Sequence, residues 1–145
     1  MFMARADPLD VANAIHRAAI RLLRAVRVTD AETGVSAPKL SALSVLTFGG
    51  ALSLTSLARA EQVTAATMSK LVSDLEADGL VAKRADRKDR RGLRIEVTAK
   101  GRALMEEGRR RRLALLQKRL AKLTREERAR LAEAATLMTK IADLS

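Results

Sequence analysis

The sequence predicts a mainly α fold with a small β-hairpin wing, in which N- and C-terminal helices serve dimerisation. Three observations carry this prediction. Apolar residues recur at helical spacing through most of the chain, two short helical segments meet near its middle, and one strand of alternating polarity follows a strongly charged stretch. The length of 145 residues, with 48% apolar and 31% charged residues, suits one domain or one subunit of a small oligomer.

The N-terminal third predicts two helices separated by a connector. A first helix over about 8–28 begins with Asp7 as the N-cap and a proline at its first position, and apolar residues then recur at helical spacing. The connector is predicted over 29–36, because Gly34 lies inside it. A second helix opens at 36–38 and ends at the glycine pair 49–50.

Two short helices are predicted next, over 54–61 and 64–77, with only two residues between them. Ser53 or Thr55 is expected to cap the first, and Thr64 the second. The second helix carries an apolar stripe at helical spacing, made of Met68, Leu71, Val72 and Leu75. Its opposite face holds mostly short side chains, which would let the helix backbone approach a partner closely: Ala66, Thr67, Ser69, Lys70 and Ser73.

A charged hairpin is predicted after Gly79, which ends the preceding helix. Its second strand is Leu93 to Val97, where apolar and charged residues alternate with a period of two. We call the segment from Lys83 to Arg94 the wing; it contains seven basic and two acidic residues. The candidate functional residues of the wing are Arg84, Arg87, Lys88, Asp89, Arg90, Arg91 and Arg94.

Two further helices are predicted at the C-terminal end. Thr98 caps a long helix through about Leu120, and Thr124 with Glu127 forms a capping box for a last helix ending near Ile141. The apolar face of that last helix is wider than one neighbouring helix would cover, which predicts a symmetric homodimer with interdigitated first and last helices. We therefore divide the chain into two dimerisation segments, 1–35 and 101–145, and one lobe between them, 36–100.

The charge of the chain narrows the choice of partner. Lys and Arg number 28 against 17 Asp and Glu, a net charge of +11, which attracts nucleic acid, an anionic membrane surface or an acidic protein. Cysteine is absent, which argues against a thiolate metal site and favours the reducing cytoplasm. No apolar run approaches the length of a membrane span, and no phosphate loop, metal-ligand spacing or nucleophile–base pair indicates an enzyme or a cofactor.

The order of helix, tight turn, helix and basic hairpin meets the requirements of double-stranded DNA. A helix with short outer side chains fits the major groove, where base edges present a distinct pattern of donors and acceptors. The narrower minor groove admits an inserted arginine, for which Arg90 and Arg91 at the hairpin tip are the candidates. With Phe2 and Phe48 as its only aromatic residues, the chain offers no row of rings for single-stranded bases.

Two motifs resemble the MarR family of winged helix-turn-helix transcription regulators. The run 89–91, Asp-Arg-Arg, is similar to the family's Asp-x-Arg signature, and 75–81 is similar to its Leu-Glu-x-x-Gly-Leu-Val ending of the recognition helix. The resemblance implies that Asp89 orients the wing and that Arg91 lies near the DNA backbone or minor groove; Gly92 stands where the family often has serine. It also implies a homodimer on a pseudo-palindromic operator, commonly a repressor released by a small ligand.

Several alternatives stay open at this stage. A non-specific architectural or RNA-associated basic protein needs the same charge without base discrimination, and a helical scaffold could bind an acidic protein or a membrane surface. A small hydrophobic effector could occupy an apolar cleft between the terminal helices and the lobe. His16 is expected to be structural, and the run Arg109 to Arg112 is expected to be a solvated face more often than a phosphate or intersubunit contact.

Overall fold

The computed structural model describes residues 6–88 and 92–145 and has the predicted mainly α architecture. A 3₁₀ helix follows the first α-helix at Val28–Thr33, and all of it but Val28 lies in the stretch predicted only as a connector. The strands are β1 (Leu52–Ser53), β2 (Val81–Ala85) and β3 (Leu93–Val97). The helices are α1 (Pro8–Arg27), α2 (Ala37–Gly49), α3 (Leu54–Ala60), α4 (Ala65–Ala77), α5 (Ala99–Leu120) and α6 (Arg125–Ala142).

The helix starts follow from local capping, as the sequence predicted. The Asp7 carboxylate accepts the backbone N–H of Leu9 at 2.8 Å, and the Thr98 hydroxyl accepts that of Gly101 at 3.1 Å. The predicted capping box is present, with reciprocal hydrogen bonds between Thr124 and Glu127 of 2.8 and 3.1 Å. These bonds satisfy backbone donors that a helix cannot pair internally, so they fix where each helix begins.

The three strands form one antiparallel sheet in the order β1-β3-β2. The β2–β3 pair is the predicted hairpin, with Val81 opposite Val97 and Ala85 opposite Leu93. Strand β1, whose Leu52 pairs with Ile95, was not predicted from the sequence. A strand of two residues has no periodicity of its own, and only its pairing with β3 defines it.

One hydrophobic core holds the lobe together. It is formed by buried residues of α2, α3, α4, β2 and β3, among which Leu43, Leu57, Val72 and Leu75 are fully buried. The predicted apolar stripe of α4 lies on this core, with Leu71 half-buried at its edge. Because the stripe fixes the rotation of α4, its opposite face points away from the core.

The terminal helices leave apolar residues uncovered. Helix α6 buries none of its residues, and α1 buries only Val26. On α6, Leu131, Leu137 and Ile141 are 47%, 61% and 53% exposed. In the described part of the chain, nothing covers this face. No helix there combines the length and the apolar character needed to cross a bilayer.

Candidate nucleic-acid interface

The outer face of α4 presents the side chains that the sequence predicted. All five are exposed: Ala66, Thr67, Ser69, Lys70 and Ser73. Thr64 caps the helix by accepting the backbone N–H of Thr67 at 3.1 Å, and the two threonine hydroxyls lie 2.9 Å apart. The face therefore offers hydroxyls and one ammonium group on a helix whose first turn is held rigidly.

The turn between α3 and α4 adopts a backbone conformation that the sequence analysis did not anticipate. Gln62 has a φ of 56°, the only positive φ of a non-glycine residue among residues 6–88 and 92–145. The following Val63 N–H donates to the carbonyl of Ala58 at 3.0 Å, which closes the turn. For an L-residue with a side chain, the left-handed region costs about 1–2 kcal/mol. The turn thus carries local strain immediately before α4.

Replacing Gln62 with glycine is expected to raise the free energy of unfolding by about 0.5–1 kcal/mol, because glycine adopts the left-handed conformation without strain. The greater conformational entropy of glycine in the unfolded chain offsets part of this gain. Thermal and denaturant unfolding measure the change. Gln62→Ala is the matched control and should leave stability nearly unchanged, since alanine keeps the Cβ atom. Equal stability of the two variants would show that the turn is unstrained.

The wing brings four predicted DNA-contacting residues around one cleft of about 640 Å³: Arg84, Arg87, Lys88 and Arg94. All four are exposed. Arg84 lies directly opposite Arg94 in the β2–β3 register, and like charges facing each other across a sheet need counterions. Glu96 supplies one of them, since its carboxylate lies 2.7 Å from Nε of Arg84. The cleft wall is therefore cationic and internally ordered.

Asp86 stabilises the wing, although it was not among the site residues predicted from the sequence. Its carboxylate accepts the backbone N–H of Lys88 at 2.9 Å and lies 3.2 Å from Nε of Arg94. The same guanidinium donates to the carbonyl of Ala51, next to β1, at 3.3 Å. Arg94, predicted only as a DNA contact, thus ties the wing to the sheet. In turns, an aspartate side chain often accepts a hydrogen bond from the backbone N–H two residues ahead. This pattern is the sequence signal from which the role of Asp86 could have been predicted.

The residues expected to act at the wing tip, Asp89, Arg90 and Arg91, lie outside the described residues. The orienting role that the family resemblance assigns to Asp89 therefore stays a prediction. Within the described wing, Asp86 orients Arg94 by accepting a hydrogen bond from its Nε.

Helix α4 and the wing meet on one side of the lobe. Ser69 of α4 lines a cavity of about 100 Å³ together with Lys83 of β2 and Leu93 of β3. The outer face of α4 and the cationic strands therefore border a common surface. Such a surface can place a helix in one groove of a duplex while the hairpin reaches the neighbouring groove.

The arginine run of α5 is the expected solvated face only at Arg109 and Arg110, because Arg111 and Arg112 are half-buried in ion pairs. Arg112 Nη1 lies 2.9 Å from the carboxylate of Asp30, and Arg111 Nε lies 3.3 Å from that of Glu32. Both acidic partners belong to the 3₁₀ helix after α1. These ion pairs fasten α5 to the connector and leave Arg109 and Arg110 exposed.

No chemical site competes with this surface in the part of the chain that the structure describes. His16 is exposed on α1. Across 6–88 and 92–145, His, Asp and Glu form no group of three or more able to hold a metal ion.

A helix with short outer side chains, entered through a tight turn and flanked by a cationic hairpin, defines a winged helix-turn-helix protein that binds DNA. Residues 33–92 match the model of the MarR family. An uncharacterized HTH-type transcriptional regulator of Mycobacterium bovis is 34% identical over 135 residues, which cover 93% of this chain and 94% of that protein. The chain belongs to the MarR family; it is a DNA-binding transcription regulator and not an enzyme.

Solved structures agree with this assignment. A transcriptional regulator of Thermotoga maritima has the same fold, with a TM-score of 0.80 and 21% identity over 90% of this chain and 92% of that chain. The solved structure of Bordetella bronchiseptica BpsR, whose DNA binding is regulated by 6-hydroxynicotinic acid, has a TM-score of 0.61. It is 26% identical to this chain, and the match covers 100% of both chains.

Proposed function

We propose that the protein is a homodimeric, sequence-specific reader of double-stranded DNA that acts as a repressor and is released by a small-molecule effector. The observation that carries this proposal is the exposed polar face of α4 beside the braced cationic wing. Phosphate contacts alone position a protein without reading sequence, whereas side chains on a groove-entering helix reach base edges. The alternative, a non-specific architectural or RNA-associated protein, would not need such a face.

The side chains of α4 suit base reading in the major groove. The ammonium group of Lys70 can donate to the O6 and N7 acceptors of guanine, and the hydroxyls of Ser69 and Ser73 can donate or accept. Ala66 and Thr67 present methyl groups that can contact thymine. The wing residues Arg87 and Lys88 can neutralise phosphates. We assign sequence reading to α4 and mainly affinity to the wing.

The uncovered apolar faces of α1 and α6 support a homodimer. Leu22 and Leu23 of α1 are 53% and 48% exposed, in addition to the exposed residues of α6. A two-fold axis through these helices would present two copies of α4 to DNA, which requires two inverted half-sites about one helical turn apart. A dimer seated on such a site would exclude other proteins from the same DNA, which is the basis of the proposed repression.

The relation to the Bordetella regulator supports release by a ligand. That protein's DNA binding is regulated by 6-hydroxynicotinic acid. For the present protein we propose a small hydrophobic effector in an apolar cleft between the terminal helices and the lobe. Its test is a screen for compounds that dissociate the protein from its operator; direct binding to the free protein must accompany release.

Selection of bound duplexes from a random pool tests the proposed function. We expect enrichment of one inverted repeat whose half-sites lie about one helical turn apart. Recovery of a pool without any consensus would contradict sequence reading and favour the architectural alternative.

Two single substitutions should distinguish the residues that read the base sequence from those that contribute only to overall affinity for DNA. Lys70→Ala is expected to relax the base preference at one position of each half-site, at a cost of about 1–3 kcal/mol for the preferred base. Arg87→Gln is expected to weaken binding to every duplex alike and to lower the slope of log affinity against log salt by about 0.9 per lost phosphate contact. Titrations of the selected duplex and a base-substituted version over a salt series measure both effects. The assignment is wrong if Lys70→Ala weakens both duplexes equally.

A further inference from the structure

Most of the positive charge of this chain lies outside the lobe that reads DNA. The lobe, 36–100, has eleven basic and seven acidic residues, a net charge of +4, whereas 101–145 has twelve basic and six acidic residues, a net charge of +6. The segment 118–130 alone contains six basic and two acidic residues, which equals the net charge of the whole lobe. Operator binding through α4 and the wing leaves this second concentration of charge unexplained.

The charge is gathered where α5 ends and α6 begins. We call this region the α5–α6 cationic surface. Its five basic residues are all exposed: Lys118, Arg119, Lys122, Arg125 and Arg128. Within it, only Arg128 has an internal partner in the described chain, since its guanidinium donates to the carbonyls of Leu120 and Leu123 at 3.4 and 2.6 Å. The other four join no ion pair among residues 6–88 and 92–145.

Helix stability accounts for part of this surface only. Lys118 and Arg119 lie in the last turn of α5, where the helix dipole favours cations. Arg125 is the first residue of α6, where the dipole disfavours a cation, and the first turn of α6 already contains Glu126 and Glu127. Glu127 uses its carboxylate in the capping box. A cation at this helix start is better explained by an external anion.

The surface is remote from the DNA-reading end of α5. Thr98 caps the start of α5 and donates its hydroxyl to the carbonyl of Gly79, just after α4, at 2.6 Å. The 22 residues of α5 then extend for about 33 Å at 1.5 Å per residue. This length exceeds the Debye length of about 8 Å at physiological ionic strength several-fold, so phosphates beside the start of α5 are screened from the surface.

The composition of the surface fits nucleic acid better than a protein partner. Protein interfaces have an apolar or aromatic centre, whereas protein–DNA interfaces are polar and rich in positive charge. Along the chain, the exposed large apolar residues that flank this surface are Leu113 and Leu131, and none lies between them. We propose that the α5–α6 cationic surface binds the phosphate backbone of a second DNA duplex, so that a dimer seated on its operator holds another DNA segment.

This proposal rests on the proposed operator binding, and a bridging assay separates the two. The selected operator duplex is immobilised, the protein is added, and capture of a fluorescent duplex without the operator is measured at physiological salt. The test variant removes three charges from the surface: Arg119→Gln, Lys122→Gln and Arg125→Gln. The control variant removes three exposed cations of α1, α5 and α6 that join no ion pair within 6–88 and 92–145: Arg17→Gln, Arg109→Gln and Lys140→Gln.

We expect the wild type and the control variant to capture the second duplex equally well. The test variant should capture at least about fivefold less of it, while its affinity for the operator differs from that of the wild type by less than about twofold. Equal capture by the two variants, or no capture by the wild type once it is bound to the operator, would overturn the proposal. Conversion of the test variant to a monomer in sedimentation equilibrium would also overturn it, because the charges would then serve the partner protomer. Failure of the wild type to bind the operator would instead overturn the proposed function, and the bridge with it.

Discussion

Replacing Gly101 with alanine is expected to lower the free energy of unfolding by about 3 kcal/mol, near the upper end for overpacking. A Cβ atom at this position would lie 2.2 Å from the carbonyl oxygen of Leu80 and 2.7 Å from Cγ2 of Val97. The carbonyl cannot simply move away, because it accepts the backbone N–H of Thr98 at 3.0 Å. The first turn of α5 must therefore separate from Leu80, directly before β2, and from Val97 of β3. Thermal and denaturant unfolding measure the loss.

Gly108 provides the matched control on the same helix. A Cβ atom there would meet only Nη1 of Arg112, at 3.6 Å, which is an ordinary contact. Gly108→Ala is expected to stabilise the protein by about 0.5–1 kcal/mol, since alanine favours a helix more than glycine does. If the two alanine variants changed stability by the same amount, the close approach of α5 to Leu80 would not be real.

Replacing Leu131 with glutamate is expected to convert the proposed dimer to a monomer and to weaken operator binding by at least about 100-fold. Leu131 is 47% exposed on the α6 face that we propose to lie in the dimer interface. A buried, unpaired carboxylate there would oppose association. A monomer would engage one half-site and lose the gain of binding two linked sites, which is typically 10² to 10⁴-fold. Sedimentation equilibrium and operator titration measure the two effects.

Thr136→Glu is the control for this substitution, because Thr136 lies five residues further along α6, on the opposite side of the helix. Its side chain is exposed and donates to the carbonyl of Ala132 at 3.3 Å. The variant should remain dimeric and bind the operator as the wild type does. A dimeric Leu131→Glu protein would place the dimer interface elsewhere.

The helices and the candidate reading face could be predicted because their signals are local. The stripe of Met68, Val72 and Leu75 set the rotation of α4, so its outer face followed from spacing alone. Capping residues such as Thr124 located the helix starts within a residue or two. The β2–β3 hairpin followed from the alternation of Leu93 to Val97.

The features that could not be predicted depend on residues distant in sequence. Strand β1 exists only through its pairing with Ile95, and the ion pair of Arg112 with Asp30 joins positions 82 residues apart. The brace formed by Asp86 and Arg94 requires the hairpin register, which composition does not specify. The strain at Gln62 escaped notice because glutamine gives no sign of a left-handed backbone.

The most direct test of the account is a competition titration of the wild-type protein between the selected operator and a scrambled duplex of equal length, repeated over a series of salt concentrations. We expect the operator to be preferred by at least about 10³-fold at physiological salt, with the preference persisting as salt rises while both affinities fall. Equal affinity for the two duplexes at every salt concentration would contradict sequence reading by α4 and leave a protein that binds DNA by charge alone.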